Sequence, residues 1–284
     1  MYRNKRGRTI LWCEKMRCIV SQQIRLIMLV FFCFLFILSA TGLALHYEQH
    51  AREDKVMSEL AVLIPENLKT PPAANDNTSS MATTDSLQIH QTPTILAQYR
   101  ELYKQNTDMV GWIKIDGTQI NYPVMYTADN FYLSHGFDKE DSNSGVPFVD
   151  KRCNIDPFGT NTIIYGHNMR NGTMFAELLS YKEEAFFREH PLIPFDTLYA
   201  QQTYEIVAVF MSQIYHNSDM VFKHYDFLSA DNAAAFDEYI ANINALALYD
   251  TGVSASYGDE LLTLVTCAYH TENGQFVVVA KRHS

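Results

Sequence analysis

The chain has 284 residues, 47% of them apolar and 13% aromatic, which is enough for a sizeable core plus appendages. Its net charge of −10 is unevenly split: residues 1–25 carry seven basic side chains against Glu14 alone, +6, so the remainder carries −16. An acidic body argues against a nucleic-acid partner, and the basic end runs directly into an apolar segment instead of forming a binding domain.

That segment, Leu26 to Leu45, holds no charged residue and is long enough to cross a bilayer as a helix. Basic residues crowd its N-terminal side, so residues 1–25 are expected in the cytoplasm and everything beyond about residue 46 outside. It reads as an uncleaved signal-anchor, giving a single-pass protein of the cell membrane. A cleaved signal peptide is the competing reading, although the span and the basic region are both long for one. Residues 46–64 are expected to be helical and to end at Pro65, as a stalk. Residues 65–92, rich in Pro, Asn, Thr and Ser, lack periodicity and read as a flexible linker. The expected division is therefore a basic tail over 1–25, a span over 26–45, stalk and linker over 46–92, and a folded domain over 93–284.

Within that domain, Ile95, Leu96, Tyr99, Leu102 and Tyr103 recur at helical spacing and predict a helix over about 94–106. Trp112–Ile115 and Ile120–Met125 flank Asp116-Gly117, a hairpin signal. A short helical turn is expected over Asp129–His135, then strands over Gly145–Asp150 and Thr160–Tyr165. Met174–Leu179 and Lys182–Arg188 predict short helices, stopped by Pro191, and Asp196–Tyr215 predicts two strands with Gln201-Gln202 near the turn. Ser229 is placed to cap a helix carrying Phe236, Tyr239, Ile240, Ile243 and Leu246. Two final apolar runs, Leu261–Thr266 and Phe276–Ala280, bracket a polar loop. The sum is a mostly β domain of about eight strands. A closed barrel suits it, with an N-terminal helix and one inserted helix before the cysteine strand.

Five cysteines are present: Cys13 and Cys18 before the span, Cys33 within it, and Cys153 and Cys267 beyond it. Two outer cysteines make no disulfide framework, although a single Cys153–Cys267 bridge is open on this reading. Cys267 ends the run Thr263-Leu264-Val265-Thr266-Cys267, where a strand gives way to a polar loop. His167 ends another apolar run, Thr162-Ile163-Ile164-Tyr165-Gly166-His167-Asn168. A thiol and an imidazole at two strand ends suggest a cysteine nucleophile with a histidine partner. A buried structural cysteine and a surface histidine are the plainer readings of each residue alone. Cys267 and His270 have ligand-like spacing, but no second pair accompanies them, so no metal site is expected.

Taken together, these residues resemble the sortases, membrane-anchored cysteine transpeptidases of Gram-positive bacteria. The resemblance covers about Thr94 to Arg282. It rests on Thr263-Leu264-Val265-Thr266-Cys267, against the family's Thr-Leu-x-Thr-Cys, and on His167 within Ile164-Tyr165-Gly166-His167-Asn168-Met169. Val110-Gly111-Trp112-Ile113 after a helix, Gly172-Thr173-Met174-Phe175, and the helix before the cysteine strand suggest class B. The resemblance implies an eight-stranded barrel and Cys267 and His167 as catalytic residues. It also implies Thr263, Leu264, Thr266 and Asn168 near the substrate, and no metal or organic cofactor. Its implied partners are surface proteins or pilins bearing a C-terminal sorting signal, and a peptidoglycan-precursor amine. One position departs from the pattern. The family's arginine aligns with Gln275, and the nearest basic residues on that strand, Lys281 and Arg282, lie about 20 Å further along. Arg152 and Arg170 are candidates to approach from loops, and a chain that binds sorting signals without turnover is the alternative. A thiol hydrolase releasing its acyl group to water is a third reading.

Overall fold

A computed structural model describes residues 6–64 and 94–283. The chain falls into two compact units, 1–52 and 53–284. The first helix, α1 (Arg6–Val62), includes the apolar segment. Among the described residues, its Arg25–Val62 portion is long and apolar enough to cross a membrane, by length and composition. From Glu53 onward α1 belongs to the second unit, where Met57 and Leu60 join the hydrophobic core. The folded unit therefore takes in residues expected in the stalk. The expected linker, 65–92, lies outside the described residues.

The second unit is a closed barrel of eight strands in the order β1-β2-β3-β4-β7-β8-β6-β5. Its strands are β1 (Met109–Lys114), β2 (Asn121–Met125), β3 (Phe148–Val149), β4 (Asn161–Tyr165), β5 (Leu192–Thr197), β6 (Thr203–Gln213), β7 (Leu261–Cys267) and β8 (Gly274–Arg282). The helices are α2 (Arg100–Gln105), entered through a 3-10 turn at Ala97–Tyr99, α3 (Glu184–Glu189) and α4 (Ala233–Leu246). The β1–β2 hairpin closes as expected at Asp116-Gly117, where Gly117 adopts φ +78 and Ile115 N donates to Ile120 O at 2.9 Å.

Three expectations shift, each for a local reason. The strand expected over Gly145–Asp150 shrinks to Phe148–Val149. Gly145 sits at φ +56, outside the β region, and Pro147 has no N–H to give a ladder. The helix expected from Ser229 begins at Ala233, because Asn232 takes the cap, its side chain accepting from Ala235 N at 3.0 Å. The strand expected from Asp196 starts at Leu192, directly after Pro191 ends α3.

What positions the site is a buried polar network under the β2–β3 connection. Asn106, 2% exposed, donates through Nδ2 to the Tyr132 hydroxyl and to Phe137 O, both at 2.7 Å. The Tyr132 hydroxyl donates in turn to Asp108 Oδ2 at 2.8 Å, which also pairs with Lys139 Nζ at 2.8 Å. Partial burial works to raise the Asp108 carboxyl pKa. The hydrogen bonds from Lys139 and Tyr132 and the Lys139 charge outweigh it and hold the group below its ordinary value. A depressed carboxylate stabilises the fold above its unfolded pKa, and that contribution disappears as pH falls through the folded value. Asn106→Ala is expected to cost about 2–3 kcal/mol in denaturant unfolding, since it strands a buried carbonyl and hydroxyl. In Asp108→Asn the acid-side loss of stability below about pH 4 should be shallower than in the parent, read as melting temperature against pH.

Candidate active site

β4 and β7 run parallel, with Tyr165 opposite Val265. Their ends therefore meet at one rim, which places His167 and Cys267 at corresponding positions two residues further on. Strand β7 is buried at every residue until Cys267, which is exposed. On its other side β8 runs antiparallel, with Gln275 directly opposite Cys267, and Ser212 of β6 lies opposite Gln275. Residues directly paired across strands project to the same face. Cys267, Gln275 and Ser212 thus form a row across three strands, and His167 lies beyond the end of β4 at the same rim.

The junction between β4 and β7 is knitted by three contacts, and a fourth folds the loop that follows. Gly166 N donates to Val265 O at 3.1 Å, and the Thr266 hydroxyl donates to Gly166 O at 2.8 Å. Where the ladder stops, Asn168 Nδ2 donates to Cys267 O at 2.8 Å, a side chain standing in for a backbone donor. Phe175 N donates to His167 O at 2.8 Å, folding the 168–174 loop back beneath the histidine. Gly166 is required there, because a Cβ would come within 2.5 Å of the Phe175 ring.

The His167 ring places Nε2 2.8 Å from Leu133 O. A carbonyl only accepts, so Nε2 carries a proton, and a neutral ring presents Nδ1 as the acceptor. Burial pushes the Cys267 thiol above its ordinary value, with no charged partner pulling it down. Cys153 is different: it is buried, its Sγ lies 3.5 Å from Ile163 N, and burial pushes it up to about 11. Both cysteines are free, so no bridge joins them.

Gln275 is 7% exposed, and its Oε1 is buried without a hydrogen-bond partner among the described residues. Such an orphan costs about 1–3 kcal/mol. Neither Lys281 nor Arg282 reaches the row, since Lys281 pairs with Leu261 at the far end of β7. Arg152 is committed elsewhere: it holds Asp150 Oδ2 at 2.7 Å and Tyr225 O at 2.7 Å. Arg170 is exposed two residues past Asn168.

Of the residues expected to touch substrate, Asn168 is half-buried at the rim. Thr263 and Leu264 are fully buried, and the Thr263 hydroxyl donates to Asn161 Oδ1 at 2.8 Å. Thr266 is 2% exposed and bound to Gly166 O. These three side chains build the wall that carries Cys267; as placed, they do not line an open surface. Two parts of the site escaped sequence reasoning. The Leu133 carbonyl has no side-chain signature, and Ser212 is brought to the row only by the β6–β8 register.

The model of the Sortase domain family matches residues 113–283. Sortase B of Listeria monocytogenes is 31% identical over 209 residues, covering 72% of this chain and 82% of the relative. Sortase B of Staphylococcus aureus is 32% identical over 187 residues, covering 65% and 74%. The Staphylococcus aureus sortase B–substrate complex superposes with a TM-score of 0.65 at 25% identity, covering 84% of this chain and 98% of that one. The chain belongs to the sortase family and is class B-like.

Proposed function

We propose that the chain is a membrane-anchored transpeptidase that cleaves a C-terminal sorting signal after Thr and transfers the acyl group to a cell-wall amine. The supporting observation is the shared rim of β4 and β7, which sets His167 beside the one exposed residue of an otherwise buried strand, Cys267. In this reading the apolar part of α1 anchors the chain and holds the barrel on the outer face, where both substrates arrive.

The protonation states suggest the order of events. The thiol is neutral at rest, so His167 first accepts its proton at Nδ1. The sulfur attacks the Thr carbonyl carbon, forming a C–S bond and an oxyanion. The C–N bond then breaks, the imidazolium returns its proton to the departing amine, and a thioester remains. An incoming amine attacks the thioester, loses a proton to His167, and expels the thiolate as the C–S bond breaks; the thiolate then takes that proton back from His167, which restores the resting pair. Gln275 stands where the family's arginine would stabilise the oxyanion. Its amide can donate but carries no charge, and loss of one such donor costs about 10²–10³ in rate.

That same neutrality favours a second reading, a sortase-fold protein that binds sorting signals without turnover. The experiment that separates them uses the full chain in detergent micelles with peptides carrying Asn-Pro-x-Thr-Asn or Pro-x-Thr-Gly motifs, followed by mass spectrometry. Turnover by the parent that disappears in Cys267→Ala and yields amine-linked product establishes the transpeptidase. Turnover confined to Gln275→Arg, with an expected gain of about 10²-fold, establishes the impaired form. Peptide binding with no adduct in any variant leaves the binding protein. Amine acceptors are added in a parallel arm, because products formed only with water would identify a thiol hydrolase.

The raised thiol gives an independent expectation. Alkylation of Cys267 by iodoacetamide should be slower at pH 7 than that of a free thiol, and should keep rising with pH past the ordinary value of 9.0. A plateau below pH 7 would show a preformed thiolate and would reverse the order of proton transfer given above.

A further inference from the structure

The carbonyl that holds the His167 ring is itself held. Leu133 ends a 3-10 turn, Phe131–Leu133, on the β2–β3 connection. That turn lies against the 142–146 segment: Ser142 N donates to Ser134 O at 2.9 Å and Val146 N to Tyr132 O at 3.1 Å. The two backbones approach so closely at Gly145 that a Cβ there would come within 2.4 Å of Tyr132 O and 2.9 Å of Leu133 O. The Ser142 hydroxyl accepts from Ser144 N at 3.2 Å and Gly145 N at 3.1 Å, fixing the tight part of the turn.

The outer side of this turn is gripped from a distant part of the chain. Glu53, on the last part of α1, accepts from the Ser144 hydroxyl through Oε2 at 2.7 Å and from Asn143 N through Oε1 at 3.3 Å. One carboxylate thus bridges two consecutive residues of the turn, 91 and 90 positions away. Met57 and Leu60, one and two turns further on, are buried in the same core and fix the helix that presents it.

We propose that Glu53 is a positioning residue for His167. It holds the 142–145 turn, the turn holds the Leu133 carbonyl, and the carbonyl selects the Nε2-protonated ring that leaves Nδ1 to move the proton. The inference rests on the reading of His167 as proton carrier, and it makes the segment where α1 meets the barrel part of the catalytic apparatus. Glu53 is not a catalytic residue; it acts through two other groups. Its loss should therefore appear in the ring's protonation pattern and in kcat, with little change in KM.

The test uses the full chain in detergent micelles with 15N-labelled histidine. The His167 ring signals are identified by their absence in His167→Asn. In the parent, long-range 1H–15N correlations should show His167 protonated at Nε2. In Glu53→Ala and in Ser144→Ala the ring should become a mixture of tautomers. With a sorting-signal peptide, kcat should fall about tenfold at nearly constant KM, a modest fraction of what a misplaced catalytic group costs. Glu53→Gln keeps an acceptor for the Ser144 hydroxyl and should retain the parent ring pattern. The double variant should lose no more than either single one. Unchanged ring signals in both Glu53→Ala and Ser144→Ala would overturn the proposal, and so would a fall in kcat without a change in the ring. Should Glu53→Ala fail to fold, Ser144→Ala removes only a hydroxyl and carries the same readout. A parent that turns over no peptide would defeat the transpeptidase reading, while the ring signals would still decide this one.

Discussion

The parallel pairing of β4 with β7 is the constraint on which the site depends. It joins segments about a hundred residues apart: the buried bond from the Thr263 hydroxyl to Asn161 Oδ1 closes a separation of 102 positions. Closing a loop of that length costs on the order of 4 kcal/mol plus a constant, because the entropy grows only with the logarithm of length. Five paired positions, Asn161–Tyr165 against Leu261–Val265, outweigh that with buried apolar side chains on both faces. A one-residue slip would turn Cys267 to the opposite face and send its neighbours into the wrong environment, so the register is strongly specified. The chemistry is a by-product of that register: once Tyr165 lies opposite Val265, the next two residues on each strand bring an imidazole and a thiol to one rim.

Electrostatics at that rim differ from what an arginine would impose. A guanidinium beside Cys267 would favour the thiolate before substrate arrives and stabilise the oxyanion afterwards, with one permanent charge serving both states. Gln275 supplies neither. Burial raises the Cys267 thiol above its ordinary value, and in the proposed mechanism the positive charge that assists the transition state is made by proton transfer to His167. The burden on His167 is correspondingly greater, which gives the hydrogen bond that fixes its ring more weight here than in a site with a permanent cation.

Much of this was legible in the chain. The hairpin at Asp116-Gly117, the strands ending at Tyr165 and Cys267, and the helix before the cysteine strand all follow from period, turn chemistry and apolar runs. The eight-stranded closed barrel stands as expected. Boundaries moved where one residue outcompeted another: Asn232 took the cap from Ser229, and Gly145 with Pro147 cut β3 to two residues. Thr263, Leu264 and Thr266, expected near the substrate because they spell the family's signature, are buried in the strand that ends at the thiol. A signature records which residues a site needs without distinguishing contact from support.

What no linear reading could find is a function carried by backbone. The Leu133 carbonyl orients the histidine, and its identity as Leu is irrelevant to that bond. Its position depends on the missing Cβ of Gly145 and on the grip of Glu53 from the end of a helix that reads, in sequence, as mere stalk. If the part of α1 beyond residue 52 only tethered the barrel, any solvated helix would serve, and neither Met57 nor Leu60 would need to be buried. Their burial fixes this end of the helix against the barrel, and the carboxylate ahead of them reaches the turn that packs against the Leu133 carbonyl. The end of α1 is thus tied to the turn that packs against the Leu133 carbonyl, so the folded unit that would carry the proposed chemistry begins at Glu53, forty residues before the first helix that periodicity alone detects.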